Sequence, residues 1–126
     1  MAAVLDASAV LAIYFDEPGA EAVAAIVADS LLSSVNYTEV VSSALDRGGS
    51  FDHVLRSLAR MAFVVVDYDL TLARRAGQLR PATRAFGLSL GDRACLALAE
   101  RERLPAYTTD RSWAKLDLEI EVRVIR

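Results

Sequence analysis

Residues 88–99 read Leu-Ser-Leu-Gly-Asp-Arg-Ala-Cys-Leu-Ala-Leu-Ala, and residues 105–110 follow as Pro-Ala-Tyr-Thr-Thr-Asp. The spacing of the apolar residues predicts a helix that opens at Gly91-Asp92, a tight connection, and a short strand that ends on Asp110. On that helix Asp92 shares the core-facing side with Cys95, Leu96 and Ala99. A carboxylate on a buried face is costly unless it is paired. The rest of the chain is therefore expected to supply a partner for it.

The chain has 126 residues, 54% of them hydrophobic, and a formal net charge of −3. Its mean hydropathy is +0.30. This length predicts one domain over residues 1–126 with a substantial core. The negative charge counts against a protein that coats nucleic acid non-specifically. It does not exclude an enzyme that cuts nucleic acid, because a bound cation can supply positive charge locally.

Cys95 and His53 are the only cysteine and the only histidine. We expect Cys95 to be a buried, reduced thiol and His53 a solvated helix residue, since neither has partners for a disulfide, a zinc site or a Ser-His-Asp triad. The apolar stretch 1–14 lacks a basic start and is interrupted by Asp6, so it is not expected to be a signal peptide. No later stretch is long enough to cross a membrane. A cytoplasmic location is the expectation.

Short apolar strands alternate with helices along the chain. Phe63–Val66 is an aromatic residue followed by three β-branched valines, and we expect it to be the clearest buried strand. The basic, Pro-containing stretch 79–84 is expected to be a linker. Other strands are predicted at 2–5, 31–34, 105–110 and 122–125, and helices at 7–15, 20–28, 36–47, 51–61, 69–78 and from 91 onward. This alternation predicts an α/β fold, a parallel sheet covered by helices on both faces.

Acidic residues stand where such a sheet binds ligands. Asp6 and Asp110 each lie at the carboxyl end of a predicted strand, and Asp92 opens the helix before the second of these. Ligands bind beyond the carboxyl ends of parallel strands, where the strand order reverses. If the first and fourth strands are neighbours, the three carboxylates converge.

Each acid also has an ordinary structural explanation. The alternatives are a cap by Asp6 of the following helix, capping boxes pairing Ser89 with Asp92 and Asn36 with Glu39, and an Asx turn of Asp110 with Thr108 and Thr109. Glu39 points away from the apolar stripe of its predicted helix, which suits either a solvated face or the wall of a groove. Gathered together, however, the four carboxylates would raise their pKa values or collect a cation. Oxygen ligands without His or Cys favour Mg²⁺ or Mn²⁺, which points to phosphodiester hydrolysis.

Four segments, in this order, resemble the PIN domain and, more narrowly, the VapC-type ribonuclease toxins of bacterial toxin–antitoxin pairs. They are Leu5-Asp6-Ala7-Ser8-Ala9, Asn36-Tyr37-Thr38-Glu39-Val40, Leu88-Ser89-Leu90-Gly91-Asp92-Arg93-Ala94 and Thr108-Thr109-Asp110-Arg111-Ser112-Trp113. The resemblance covers nearly the whole chain. It implies a three-layer αβα fold with a central five-stranded parallel sheet.

The resemblance also implies an Mg²⁺- or Mn²⁺-dependent endoribonuclease that cuts structured RNA such as tRNA or rRNA, forms a homodimer and is blocked by an antitoxin. By resemblance Asp6, Glu39, Asp92 and Asp110 match the family's acidic quartet. Asp6 and Asp92 match its usual metal ligands. Asp110 is a third candidate ligand, and Glu39 and Asp110 would also act through bound waters. Ser8 and Thr109 match small polar residues that line the site, and Trp113 follows the last acid.

Other residues leave alternatives open. Arg80, Arg84 and Arg93 are candidates for contacts with RNA phosphates, although Arg80 and Arg84 are equally well explained as solvated surface residues. Trp113 is expected to pack beneath the acidic loop rather than stack on a base. The helices around Val10 and Ala24 suit either the core or a surface for an antitoxin or a second subunit. Two other functions remain open, a Mg²⁺-binding receiver-like signalling domain and a PIN module that binds RNA or antitoxin without turnover.

Overall fold

The computed structural model describes residues 1–126 and has a five-stranded, wholly parallel sheet at its centre. The strands lie in the order β3-β2-β1-β4-β5. They are β1 Val4–Leu5, β2 Leu31–Ser33, β3 Val64–Val66, β4 Ala106–Thr108 and β5 Val122–Val124. Strand β1 thus lies between β2 and β4, so the condition for the carboxylates to converge, that the first and fourth strands are neighbours, is met.

Seven α-helices and three 3₁₀ turns complete the chain. The helices are α1 Ala7–Tyr14, α2 Ala20–Ala24, α3 Ser34–Asp46, α4 Phe51–Met61, α5 Leu70–Gln78, α6 Arg80–Thr83 and α7 Leu90–Glu102. The 3₁₀ turns are Val27–Asp29, Arg84–Phe86 and Arg111–Lys115. None of the helices is long and apolar enough to cross a membrane.

Two apolar cores, one on each face of the sheet, make this a three-layer αβα fold. Successive residues of a strand point to opposite faces, and in β1 Leu5 joins the core under α1, α3 and α4 while Val4 joins the core under α5 and α7. Val10 is wholly buried in the first core, so it cannot form a surface for a partner. Ala24 lies instead on an open groove. The predicted fold class is confirmed.

Strand β3 is not the buried strand that its sequence predicts. Val64 and Val65 are 55% and 43% exposed. The reason is topological: β3 pairs only with β2 and forms an edge of the sheet, so one side of it has no neighbour. A β-branched run reports preference for a strand, and it does not report the place of that strand in the sheet.

Several predicted boundaries also differ from the structure, and strand β4 ends at Thr108 rather than at Asp110. The stretch 79–84 is not a linker, because Pro81 stands in the first turn of the short helix α6, where a missing N–H costs nothing. The predicted helix 20–28 is divided into α2 and the 3₁₀ turn Val27–Asp29. Helix α3 begins at Ser34 rather than Asn36, because the Ser33 hydroxyl accepts a hydrogen bond from the N–H of Val35 and caps it there.

Candidate active site

The four acids of the predicted quartet come from four separate segments near the carboxyl ends of β1 and β4. Asp6 follows β1, Asp110 follows β4, Asp92 lies in the first turn of α7, and Glu39 lies in the second turn of α3. They are close enough to influence one another. The charges of Asp92 and Glu39 both raise the pKa of Asp6, and the charge of Asp110 raises the pKa of Asp92.

Asp6 is the most buried of the four, with 5% of its surface exposed. It stands at the N-cap position of α1, but its side chain makes no capping hydrogen bond. Instead its Oδ2 accepts hydrogen bonds from the hydroxyls of Ser8, at 2.8 Å, and Thr108, at 2.9 Å. Burial raises the pKa of Asp6 to about 6, the neighbouring acids add to the rise, and the two hydroxyls oppose it. The capping explanation of Asp6 is therefore wrong.

The same two hydroxyls connect Asp6 to the chain that leads to Asp110. Ser8 Oγ accepts the backbone N–H of Thr109 at 3.0 Å, and Thr108 Oγ1 accepts that of Asp110 at 3.1 Å. Thr109 thus contributes its backbone, and the threonine whose hydroxyl reaches the acid is Thr108, which the sequence interpretation missed. The register of β1 with β4 is what identifies Thr108. Leu5 lies opposite Tyr107, so the next residues, Asp6 and Thr108, are also neighbours.

Asp92 forms a capping box and is also coupled electrostatically to Asp110. Its carboxylate accepts the N–H of Ser89 at 2.8 Å, and the Ser89 hydroxyl accepts the N–H of Asp92 at 3.2 Å, which is a complete capping box. Burial raises the pKa of Asp92 and the charge of Asp110 adds to the rise, while the hydrogen bonds to Ser89 oppose it. The residue that begins α7 is therefore also coupled to the other acids.

Glu39 is not part of a capping box with the backbone of Asn36, because α3 begins two residues before Asn36. The Asn36 side chain instead donates from Nδ2 to Glu39 Oε1 at 2.7 Å. Burial raises the pKa of Glu39 and Asp92 adds to the rise, while the bond from Asn36 opposes it. The half-buried carboxylate lies against Gly91 of α7, so Glu39 is not on a fully solvated face.

Asp110 is exposed and caps the 3₁₀ turn that follows it. Its Oδ1 accepts hydrogen bonds from the backbone N–H and the hydroxyl of Ser112, at 2.9 and 2.8 Å. The predicted Asx turn with Thr108 and Thr109 is therefore replaced by a cap on the C-terminal side. Its other carboxylate oxygen, Oδ2, accepts neither bond.

The remaining predicted site residues are in different surroundings. Trp113 is 1% exposed and packs in the core beneath α5 and α7, which confirms the packing interpretation and leaves no face for a base. Arg93 is half-buried and donates to the carbonyl of Ala76 at 3.1 Å, tying α7 to α5. Arg80 is exposed and donates to the Leu88 carbonyl at 3.3 Å, and Arg84 is exposed. Their contacts with RNA stay predictions.

The donor set fits a hard divalent cation. It consists of carboxylate oxygens, the ligands that Mg²⁺ and Mn²⁺ prefer. Desolvation and the neighbouring negative charges raise the pKa of Asp6, the most buried of the acids. A cation would relieve both effects. The acids do not form a ready-made cage, however, since no group of three is close enough to hold a metal ion as it stands. An ion held by two of the acids would take its remaining ligands from water and from substrate phosphate oxygens.

A family model described as PIN domain matches residues 3–119. Solved structures with the same fold include a toxin–antitoxin complex from Klebsiella pneumoniae, with 21% identity and a TM-score of 0.73 over 91% of this chain and 92% of that chain. VapBC-5 from Mycobacterium tuberculosis has 25% identity and a TM-score of 0.65 over 99% and 98%. DNA-bound VapBC from Salmonella typhimurium has 18% identity and a TM-score of 0.71 over 94% of each chain.

No curated protein matches the chain by sequence. The family model nevertheless covers most of the 126 residues, including all four acids. This match identifies a PIN domain instead of the receiver-like signalling domain. The parallel sheet in the order β3-β2-β1-β4-β5 agrees with the PIN match. The chain belongs to the PIN domain family.

Proposed function

We propose that this PIN domain is a metal-dependent endoribonuclease of the VapC type, the toxin of a toxin–antitoxin pair, acting on structured RNA such as tRNA or rRNA. One observation carries the proposal: a carboxylate that is 5% exposed, Asp6, lies within electrostatic reach of Asp92 and Glu39 at the carboxyl ends of parallel strands. Such an arrangement is expensive without a ligand. The family match and the VapBC structures that share the fold support it.

Asp6 and Asp92 would hold the cation, with Asp110 as the third candidate ligand. When bound, Mg²⁺ or Mn²⁺ supplies a Lewis acid for a phosphoryl oxygen and lowers the pKa of bound water. The chain's own contribution is to keep these oxygens in place. Ser8 and Thr108 fix one oxygen of Asp6, and the capping box with Ser89 fixes Asp92.

Glu39 and Asp110 would orient the attacking water, and Glu39 would accept its proton. Burial and the charge of Asp92 raise the pKa of Glu39, which makes it a better proton acceptor than an ordinary glutamate. Asp110 is exposed, and the hydrogen bonds from Ser112 restrain its carboxylate. It is therefore accessible to substrate while its orientation is held.

Purified protein is expected to cut tRNA or rRNA when Mn²⁺ or Mg²⁺ is present and to stop when EDTA removes the ion. The physical reason is that the acidic site would repel phosphate unless a cation neutralised it. Gel analysis of defined RNAs with each metal and with EDTA measures this. Cleavage that continues in EDTA contradicts the proposal, and no cleavage of any RNA class by metal-loaded protein favours the non-catalytic binding module instead.

An antitoxin protein is the proposed cellular partner, and a homodimer the proposed assembly. Expression of the chain alone is expected to arrest growth, and co-expression with the neighbouring upstream reading frame to relieve the arrest. Colony counts measure both, with an Asp6→Asn chain as the control that should not arrest growth. Arrest by this variant would contradict the proposed mechanism of toxicity, and light scattering of the purified chain tests the dimer.

A further inference from the structure

The buried side chain of Asn36 connects two of the elements that carry the acids. Its Nδ2 donates to Glu39 Oε1 at 2.7 Å and to the carbonyl of Gly91 at 2.9 Å. Asn36 lies on α3, and Gly91 lies in the first turn of α7, next to Asp92. Asn36 is 0% exposed, and its bond to Gly91 is buried while its bond to the half-buried Glu39 is partly buried.

The orientation of this amide is determined by its partners. A carboxylate and a carbonyl only accept hydrogen bonds, so the NH₂ group must face them. The amide oxygen Oδ1 is then buried without a hydrogen-bond partner. The two hydrogen bonds that Nδ2 donates favour folding and the unpaired Oδ1 opposes it, so these contributions partly cancel. The contact with Glu39 is therefore the feature of this asparagine that bears on the site.

Gly91 provides the space in which the Glu39 carboxylate lies. A Cβ atom built on Gly91 would overlap both carboxylate oxygens of Glu39. Glycine inside a helix is normally unfavourable because of its backbone freedom. In α7 its missing side chain lets Glu39 reach the helix backbone one residue before Asp92.

We propose that Asn36 and Gly91 are positioning residues, which together hold the Glu39 carboxylate in a slot against the first turn of α7. Asn36 holds one oxygen by a hydrogen bond, and the bare backbone of Gly91 leaves room for the group. The inference rests on the proposed function, in which Glu39 orients the attacking water. Neither residue touches substrate in this scheme, so both act through Glu39.

The kinetic test uses Asn36→Leu and Gly91→Ala, with Gly77→Ala as the matched control. Gly77 is also helical, but a Cβ there meets no atom within 4 Å. We expect Asn36→Leu and Gly91→Ala to lower kcat ~10- to 100-fold with little change in KM, as for loss of a supporting partner. Gly77→Ala is expected to cut RNA at the normal rate.

A double-mutant cycle separates positioning from a general structural defect. Because Asn36 acts through Glu39, adding Asn36→Leu to Glu39→Gln is expected to cause no further loss of kcat. Losses that multiply in the double variant overturn the inference, as does an Asn36→Leu enzyme with normal kcat. The metal-free unfolding temperature of each variant is measured beforehand, and kcat is compared at a temperature at which every variant is folded.

A spectroscopic readout keeps the inference separate from the proposed function. In the metal-free protein the side-chain NH₂ resonances of Asn36 should exchange slowly with solvent. They should shift and lose protection in Gly91→Ala but not in Gly77→Ala. If the wild-type protein cuts no RNA, the proposed function fails, but these resonances still test whether Asn36 and Gly91 hold the Glu39 carboxylate in the slot. Unchanged resonances in Gly91→Ala overturn it.

Discussion

Replacing Asp6 with asparagine is expected to lower the rate of RNA cleavage by at least ~100-fold, the usual scale for losing one group that stabilises charge in the transition state. Asparagine keeps an oxygen that can accept the hydrogen bonds of Ser8 and Thr108, so the backbone should not change. It removes the negative charge at the most buried of the four acids. Initial rates at saturating Mn²⁺ measure the effect, and the exposed Asp117 provides a control through Asp117→Asn. An Asp6→Asn enzyme with normal activity would contradict the role of Asp6.

The same substitution is expected to make the metal-free protein more stable at neutral pH. The pKa of Asp6 is about 6 in the folded chain against an ordinary 3.8, so the folded state binds this proton more tightly than the unfolded state. Protonation of Asp6 therefore adds to the free energy of unfolding. This contribution is complete at low pH and is lost as the pH rises from ~4 to ~6, with a total on the order of 3 kcal/mol. The pKa values of the half-buried Glu39 and Asp92 are also raised, which acts in the same direction.

Urea unfolding of the metal-free protein between pH 4 and pH 8 measures this contribution. The free energy of unfolding of Asp6→Asn should exceed that of the wild type least at pH 4, and the difference should reach its largest value at pH 7 and stay there at pH 8. A constant difference across this range would show that Asp6 does not carry the shifted pKa. Added Mn²⁺ should reverse the order at pH 7, because it stabilises only the chain that binds it.

Replacing Trp113 with alanine is expected to cost ~3–5 kcal/mol of unfolding free energy, the range for deleting a large buried aromatic side chain. Trp113 is 1% exposed and packs with Leu72 and Leu96. Its indole N–H is buried without a hydrogen-bond partner, so the loss is one of packing alone. Urea unfolding of Trp113→Ala and Trp113→Phe measures it, and the phenylalanine variant should lose less.

The RNA affinity of Trp113→Phe distinguishes packing from base stacking. Because the ring is enclosed, it should make no contact with RNA. The KM for RNA should therefore stay within ~2-fold of the wild type below the unfolding temperature. A tenfold rise in KM at unchanged stability would show that Trp113 reaches the substrate.

The sequence predicts the layers of the fold and the place of the acids at strand ends, because both depend on local patterns. The convergence of the acids depends in addition on β1 and β4 being neighbours. Apolar periodicity marks the strands and helices, and Asp6 and Asp110 are identifiable as strand-end residues within a few positions. The exposure of Val64 and Val65 was not predictable in this way. It depends on which strands are neighbours in the sheet, and a β-branched run is the same at its edge and at its centre.

The contacts that orient the acids were also beyond the sequence pattern. Thr108 reaches Asp6 across 102 positions, and only the register of β1 with β4 distinguishes it from Thr109. The sequence pattern is consistent with a helix cap at Asn36, whereas the residue that caps α3 is Ser33. Its contact with Gly91 joins segments 55 residues apart. Interactions between side chains distant in sequence follow from packing, which local periodicity does not encode.

Because Cys95 is completely buried, the rate at which its thiol is alkylated can be used to measure cation binding. Burial raises the pKa of this single thiol, and the charges of Asp6, Asp92 and Glu39 add to the rise. An alkylating reagent can therefore reach it only when α7 opens away from the sheet. An ion that binds the folded carboxylates makes such opening rarer by the factor 1 + [ion]/Kd. The slowing of alkylation would thus report the ion's affinity in a tube that contains no RNA at all.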